Sequence, residues 1–209
     1  MTGTVLVADD HPLFRQALRL AVEKILPEAS IAEAGTLATA VAAATAAPDL
    51  RLILLDLKMP GATGYSGIAL LHAECPGVPI LVVSSAEGAA AADEARAFGA
   101  IGFLHKGSDL GAIEAAVAAA IGRRPAPRSP APDPATEEIR ETIASLTPTQ
   151  LKVLLAVLDG QLNKQIAHNL GISEATVKAH MTAIMRKLDV RNRTQAALVA
   201  RSLGLDLAH

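Results

Sequence analysis

Short apolar runs recur along the first 121 residues, and longer stretches that are compatible with helices separate them. Each run is continuous over four or so residues instead of alternating with polar positions, which is typical of strands covered on both faces. The pattern therefore predicts an α/β domain with a five-stranded parallel sheet. The expected strands lie at residues 5–8, 31–34, 52–55, 80–83 and 101–104, of which the second has the weakest signal.

From residue 146 onward the pattern changes to short helices without any strand-like run. We expect an all-α domain in which a second and a third helix are joined by a tight glycine turn, as in helix-turn-helix proteins. The third helix should run from Glu174 to about Leu188. The cap and turn residues that predict these helices are, in chain order, Thr147 with Pro148, Gly160, Asn163, Gly171 and Ser173.

The two halves are separated by RRPAPRSPAPDP, in which five prolines nearly alternate with small residues. Proline lacks a backbone N–H and disfavours helical geometry in the residue before it, so we expect an extended, semi-rigid spacer. A ligand for a proline-recognising partner domain is the less favoured alternative. The predicted organisation is one domain over 1–122, a proline-rich linker over 123–145 and a second domain over 146–209.

Composition narrows the function classes. With 51% hydrophobic and 19% charged residues the chain should fold, and with 2% aromatic residues and no tryptophan it is a poor candidate for stacking single-stranded nucleic acid. The single cysteine excludes internal disulfides and multi-thiolate zinc sites, and it fits a reducing cytoplasm. We see no secretion signal and no apolar run of about 18 residues, so we expect a soluble protein without a membrane partner.

Charge is divided unevenly along the chain. Residues 1–121 contain seven Lys and Arg against thirteen Asp and Glu, a net charge of −6, whereas residues 146–209 contain eight against four, a net charge of +4. This separation indicates a cation site in the first domain and a polyanion site in the second.

Chemistry-bearing residues follow four of the five predicted strands. Carboxyl ends of parallel strands meet at one sheet edge, and three carboxylates gathered there repel one another unless a cation lies among them. Oxygen ligands favour Mg²⁺, and a metal beside an Asp and a Lys suits phosphoryl transfer. Taken singly, the first two acids could instead cap a helix. The residues are Asp9 and Asp10, then Asp56, then Ser84 and Ser85, and finally Lys106.

These strand ends, VLVADDHP, LLDLKMPG, VVSS and GFLHKG, resemble the receiver domain of two-component response regulators over about residues 3–122. The resemblance implies a flavodoxin-like fold with Asp56 as the phosphoacceptor. It also implies Mg²⁺ ligation by Asp10, Asp56 and the Lys58 carbonyl, with Asp9 assisting through water. Contacts to the phosphoryl oxygens would come from Ser84, or less favourably its neighbour Ser85, and from Lys106, and the switch aromatic would be Phe103.

Two positions depart from the usual receiver pattern. Phe103 lacks the hydroxyl of the tyrosine that is often found there, and Gly107 stands where many relatives have a proline after the lysine. A cis peptide bond is easily formed before proline but would cost roughly 3–4 kcal/mol before glycine. The backbone geometry after Lys106 is therefore not expected to follow that of relatives with a proline. We interpret His11 and His105 as loop or strand-end residues and Tyr65 as a packing residue.

The third carboxyl-terminal helix has two distinct faces. Its expected buried stripe repeats at helical spacing, and the opposite face is basic and short-chained, which permits close approach to a DNA groove. The buried stripe is Val177, Met181, Ile184 and Leu188. The exposed face includes Ala175, Lys178, Ala179, Thr182 and Arg186, and we add Thr176, Lys164, Lys187, Arg191 and Arg193 as nearby residues for DNA contacts.

The motifs LTP, NKQIA, LGISEATVKAH and KLDVRNRTQA resemble the four-helix LuxR-type DNA-binding domain over 146–203. The resemblance implies that Lys178, Ala179 and Thr182 face base edges, and that a last helix near 194–202 supports dimerisation. Relatives usually carry Arg-Glu where this chain has Thr149 and Gln150, so an ion pair is expected to be missing.

Together the domains resemble the NarL/FixJ class of response regulators. The expected function is a non-enzymatic, DNA-binding transcription regulator that a sensor histidine kinase phosphorylates at Asp56 and that forms a homodimer when phosphorylated. Two alternatives stay open. The acidic pocket could hold a metal or effector in a regulator that is never phosphorylated, or the chain could be a metal-dependent phosphatase, although Lys58 stands where such an enzyme needs a general acid.

Overall fold

The computed structural model describes residues 3–85, 89–121 and 134–205, which belong to two compact units, Met1–Ser129 and Pro130–His209. Among these residues, all strands lie in the first unit, and the second unit is helical. Within the described ranges, no helix combines the length and the apolar character needed to cross a bilayer.

Strands and helices alternate regularly in the first unit. The strands are β1 (Thr4–Ala8), β2 (Ser30–Ala34), β3 (Leu50–Leu55), β4 (Ile80–Ser84) and β5 (Gly102–His105). The helices are α1 (Pro12–Ile25), α2 (Leu37–Ala46), α3 (Ser66–Glu74), α4 (Ala89–Ala97) and α5 (Leu110–Ala120).

All neighbouring strands pair in parallel, in the order β2-β1-β3-β4-β5. The predicted five-stranded parallel α/β fold is therefore confirmed. The chain leaves β1 toward β2 on one side and returns to β3 on the other, which opens a crevice at the carboxyl ends of β1 and β3.

The sheet is covered on both faces, as the continuous apolar runs predict. One face packs Val5, Val7, Leu52 and Leu54 against α1 and α5, in a fully buried core that includes Leu18 of α1. Strand β2 forms an edge of the sheet, and its residues Ser30–Ala34 are mostly only half-buried or exposed. This edge position explains why the second run has the weakest apolar signal.

Tyr65 is a packing residue, as expected, and the pKa of its hydroxyl group is raised. Its ring is buried and stacks on Phe98 with 5.5 Å between centroids and 9° between planes. Burial, together with the charge of Glu94 and a hydrogen bond to it, raises the pKa of Tyr65 to about 12.

Because Tyr65 is the only tyrosine, absorbance can follow its titration alone. We expect a pKa of about 12 in the folded protein and about 10 in urea. A raised folded pKa means that this contribution to stability is complete below the unfolded pKa and is lost as the pH rises through the folded one. The unfolding free energy of the first unit should therefore fall across that interval. Equal pKa values of Tyr65 in native and urea-unfolded protein would show that the Tyr65 hydroxyl is not buried beside Glu94.

Over the described residues 134–205, the second unit contains the helices α6 (Pro134–Ala144), α7 (Pro148–Leu158), α8 (Asn163–Leu170), α9 (Glu174–Lys187) and α10 (Arg193–Ser202). Helix α6 lies within the range 123–145 that was predicted to be a linker, and the prediction did not include this helix. Proline is tolerated at the first helical position, and no proline follows Pro134 in the helix. The proline-rich residues 123–133 lie outside the described residues.

The predicted caps are confirmed for α7 and α9. Thr147 accepts from the backbone of Gln150, and Ser173 accepts from the backbone of Thr176. Gly171 takes the left-handed conformation, with φ of 65°, in the turn between α8 and α9. This geometry is that of a helix-turn-helix.

The predicted cap of α8 is wrong. Leu162 is the N-cap residue, and its backbone N–H donates to the Gln165 side chain at 2.7 Å. Asn163 lies one position later, inside the helix, and its Oδ1 accepts a hydrogen bond from Arg193 at 2.9 Å. Asn163 is therefore used for a tertiary contact instead of a cap.

The neutral Gln150 side chain accepts a hydrogen bond from a lysine, where a glutamate would form an ion pair. Lys187 Nζ donates to Gln150 Oε1 at 3.1 Å, and to the Ser145 carbonyl at 2.7 Å. We expect Gln150→Glu to turn this hydrogen bond into an ion pair and to stabilise the second unit by about 0.5–1 kcal/mol. Thermal unfolding at low and high salt measures the gain, which should shrink as salt rises.

Gln165→Glu is the matched control, because Gln165 holds the same capping position in α8. The structure shows no cation bonded to its side chain among the described residues. An equal gain from both substitutions would show that the helix dipole, and not Lys187, is responsible.

Candidate functional site

Backbone hydrogen bonds across the sheet bring three strand ends together. Asp56 N–H donates to the Ala8 carbonyl at 2.8 Å, which places Asp56 beside the turn that contains Asp9. Lys106 N–H donates to the Ser84 carbonyl at 2.9 Å, so the lysine follows β5 at the same edge. The predicted convergence of Asp9, Asp56 and Lys106 is present in the structure.

One ammonium group bridges two buried carboxylates at this edge. Lys106 Nζ lies 2.6 Å from Asp9 Oδ2 and 2.8 Å from Asp56 Oδ2, and the two acids are almost completely buried. Burial raises the pKa of Asp56, and hydrogen bonds from Lys106 and Lys58 oppose the shift. Burial alone would lower the pKa of Lys106, but the two carboxylates raise it overall. The site therefore places one ammonium group between two buried carboxyl groups.

The donor set at this edge suits a hard divalent cation. Asp9, Asp10, His11 and Asp56 each offer one ligand atom, and these atoms lie within 4.8 Å of one another. Three of the four are carboxylate oxygens and none is a thiolate, which favours Mg²⁺ over softer metals. His11 Nδ1 lies 2.6 Å from Asp10 Oδ1, so this loop histidine lies beside the acidic cluster, as its position after Asp10 indicates.

The capping alternative for the first two acids is wrong. His11, not an aspartate, is the N-cap of α1, and it makes no side-chain capping bond. Asp9 Oδ1 instead accepts from the His11 backbone N–H at 2.8 Å, closing a local turn. The two acids are thus able to face the sheet edge.

The remaining residues predicted for this site differ in exposure. Lys58 N–H donates to Asp56 Oδ1 at 3.1 Å, while its side chain is exposed. Ser84 is fully buried at the end of β4, its neighbour Ser85 is exposed, and Phe103 is half-buried in β5.

Gly107 has a specific local role. Its N–H donates to His105 Nδ1 at 3.0 Å, and a Cβ at this position would lie 2.9 Å from the same nitrogen. Proline could not donate this bond. The described peptide bonds are all trans, so Lys106 reaches the acids without a cis bond after it.

A cavity of about 390 Å³ opens next to Asp56. One lining residue on α1, Phe14, was not predicted from the sequence. Its ring centroid lies 5.1 Å from Lys106 Nζ, within the range of a cation–π interaction. An aromatic at a helical position is normally a core residue, so no sequence signal distinguished Phe14. The lining residues are His11, Leu13, Phe14, Asp56, Lys58, Ser85 and Lys106.

Helix α9 exposes the predicted basic face. Val177, Met181 and Ile184 are buried, and Leu188 after the helix is half-buried. The exposed positions are Ala175, Thr176, Lys178, Ala179, Thr182 and Arg186, and on α8 Lys164 is exposed as well. The surface that the sequence indicated for a polyanion is therefore accessible.

Two of the predicted DNA-contacting cations have partners inside the second unit. Lys187 bonds Gln150 and the Ser145 carbonyl, and Arg193 donates to the Asn163 side chain and the Gln161 carbonyl. Both side chains are held at helix junctions, so they order the helices around α9.

Comparisons with known proteins identify both domains. A family model described as response regulator receiver domain matches residues 5–118, and one described as bacterial regulatory proteins, luxR family, matches residues 144–200. The chain belongs to the NarL/FixJ class of two-component response regulators. This regulator has a receiver domain followed by a LuxR-type DNA-binding domain, and its relatives are transcriptional regulators.

Among curated relatives, a glycerol metabolism activator of Pseudomonas putida is 37% identical over 213 residues, covering 94% of each chain. The nitrate/nitrite response regulator protein NarP of Escherichia coli (strain K12) is 33% identical and covers 93% of each chain. The receiver domain of a putative NarL from Mycobacterium tuberculosis matches 58% of this chain and 98% of its own, with 32% identity and a TM-score of 0.50. The Salmonella typhimurium regulator RcsB, 21% identical with a TM-score of 0.51 and covering 98% of this chain, shows the fold alone.

Proposed function

We propose that a sensor histidine kinase transfers a phosphoryl group to Asp56 and that this modification controls DNA binding by the second domain. The observation that carries this proposal is the buried Asp56 carboxylate, which borders an open cavity and lies 2.8 Å from Lys106 Nζ. A carboxylate in this setting is a competent nucleophile when positive charge neutralises the arriving group.

Each step of the proposed phosphoryl transfer involves a residue of this chain. An Asp56 carboxylate oxygen attacks phosphorus, the bond from phosphorus to the donor imidazole nitrogen breaks, and an aspartyl phosphate results. Lys106 turns from ion-pairing the acids to contacting the new phosphoryl oxygens. Ser84 contributes a hydroxyl from the end of β4, and the half-buried Phe103 ring moves into the space that Ser84 vacates.

Mg²⁺ is the proposed cofactor. Asp10, Asp56 and the Lys58 backbone carbonyl would hold it, and Asp9 would assist through water, since these residues fit the hard-cation donor set described above. The bound ion would neutralise charge on the transferred phosphoryl group.

The proposed DNA interface is the exposed face of α9 with its neighbours. Lys178, Ala179 and Thr182 face base edges, while Lys164, Thr176 and Arg186 contact phosphates. Lys187 and Arg193 lie at the margins of this surface and contribute charge while they keep their internal bonds. The protein acts in the cytoplasm, and phosphorylation favours a homodimer that places two α9 helices on paired half-sites.

Acetyl phosphate with Mg²⁺ tests the switch on the intact protein. We expect phosphate incorporation, a shift in sedimentation toward the dimer and tighter binding to operator DNA in the same sample. DNA binding with no phosphate incorporated from any donor would favour the alternative of a phosphorylation-independent regulator.

Lys178→Ala should weaken DNA binding about tenfold, as expected for one lost groove contact worth about 1–3 kcal/mol. Fluorescence anisotropy with labelled DNA over a range of salt concentrations measures the loss and the change in salt slope. Lys152→Ala removes the same charge from α7, a helix that is not part of the proposed interface, and should change affinity much less. If both substitutions weaken binding equally, the loss reflects only the lower positive charge of the domain, and Lys178 is not a specific DNA contact.

A further inference from the structure

Arg15 connects the acidic turn after β1 to the rest of the sheet. It lies in the first turns of α1, and its side chain is only 21% exposed. Its Nη1 donates to the Asp9 backbone carbonyl at 2.6 Å, and its Nε donates to Glu33 Oε2 on β2 at 3.4 Å. One guanidinium thus touches the turn and a neighbouring strand at once.

Other bonds fix the same turn, among them the ion pair between Lys106 Nζ and Asp9 Oδ2 at 2.6 Å. Asp9 N–H donates to the Ala34 carbonyl at 3.0 Å, and His11 N–H donates to Asp9 Oδ1 at 2.8 Å. The backbone N–H, the backbone carbonyl and the carboxylate of Asp9 are therefore all bonded. The Arg15 bond is the one that holds the carbonyl.

Electrostatics explains why such a tie is needed. Lys106 bridges Asp9 and Asp56, but Asp10 lies within a few ångströms of both acids and adds a further carboxylate, so like-charge repulsion still pushes the turn away from the sheet edge. A charge-assisted bond to the Asp9 carbonyl opposes this movement without occupying a carboxylate oxygen. The guanidinium therefore does not compete with a cation for its ligands.

Glu33 holds the guanidinium in place. It accepts from Arg15, and it also lies 3.4 Å from Arg19 Nη1. Arg19 has the same charge and helix but pairs mainly with Glu23, at 2.8 Å, and no bond from Arg19 to the acidic turn is found among the described residues. Arg19 is therefore a natural control.

We propose that Arg15, supported by Glu33, is a positioning residue that holds the β1–α1 turn in the geometry that binds the divalent cation. This proposal rests on the proposed Mg²⁺ site. Arg15 itself does not touch the metal, the phosphoryl group or Asp56. Outer partners of this kind typically contribute about 10- to 100-fold to metal affinity.

Mg²⁺ titration calorimetry on the full-length protein tests the proposal, with hydrogen exchange of the backbone amides of Asp9, Asp10 and His11 measured in metal-free protein. We expect Arg15→Ala to weaken Mg²⁺ binding about tenfold and to speed exchange in the turn. Arg15→Lys, which keeps the charge, should recover part of the affinity. Arg19→Ala should leave both measurements near the wild-type values.

A merely structural role predicts a different result. Arg15→Ala would then lower the unfolding temperature, while the folded protein would bind Mg²⁺ as the wild type does, and this outcome overturns the proposal. If Arg15→Ala does not fold, Glu33→Gln provides the second variant. Unchanged Mg²⁺ affinity and unchanged amide exchange in Glu33→Gln would also overturn the proposal. If the wild-type protein binds no Mg²⁺, both the proposed Mg²⁺ site and this inference are overturned. If the wild type binds Mg²⁺ and Arg15→Ala binds it with the same affinity, only the inference is overturned.

Discussion

Asp56→Asn is expected to reduce Mg²⁺-dependent phosphate incorporation to background, because an amide of the same shape offers no nucleophilic oxygen to phosphorus. The same variant should bind operator DNA with an affinity that no longer responds to acetyl phosphate. Autoradiography or intact-protein mass measurement follows the first effect, and DNA anisotropy with and without donor follows the second.

Asp49→Asn is the matched control, since it removes one exposed carboxylate from the same domain, at the amino end of β3 and not at the carboxyl ends of the strands. It should label like the wild type. Incorporation that persists in Asp56→Asn would refute the assignment of the nucleophile. A DNA response that persists without labelling would instead favour a regulator that does not depend on phosphorylation.

Lys106→Met should destabilise the metal-free receiver domain by about 3–5 kcal/mol, the usual cost of removing one partner from a buried ion pair. The substitution leaves Asp9 and Asp56 buried and facing each other without the ammonium group that lies within 2.8 Å of both. Urea unfolding followed by the fluorescence of Tyr65 reports on this domain alone, because the chain has no other tyrosine and no tryptophan.

Saturating Mg²⁺ should restore part of the lost stability in Lys106→Met, since a divalent ion compensates the same carboxylates. Lys58→Met is the control, because the Lys58 side chain is exposed at the mouth of the same cavity. A loss below about 1 kcal/mol, the range of surface pairs, would show that the Lys106 bridge is solvated and weak.

The sequence predicted what depends on strand order and on backbone geometry. Parallel strands place their carboxyl ends at one edge, so Asp9, Asp56 and Lys106 were expected to meet, and they do. The two faces of α9 followed from helical spacing in the same way.

Side-chain direction and tertiary partners could not be predicted. Phe14 and Arg15 are adjacent in α1, yet one lines the cavity and the other ties the acidic turn. Asn163 is a residue type that often caps helices but bonds Arg193 instead, because Leu162 and Gln165 already close the start of α8. Helix α6 was missed because the prolines before Pro134 dominated the composition of the range.

Chemical mapping of the phosphorylated residue tests the central claim most directly. Borohydride reduces an aspartyl phosphate to homoserine, so peptide sequencing after treatment with acetyl phosphate and borohydride identifies the modified carboxylate. The account predicts homoserine at position 56 alone, formed only when Mg²⁺ is present and lost when a chelator is added. Homoserine at position 9 or 10, or labelling that ignores the chelator, would contradict it.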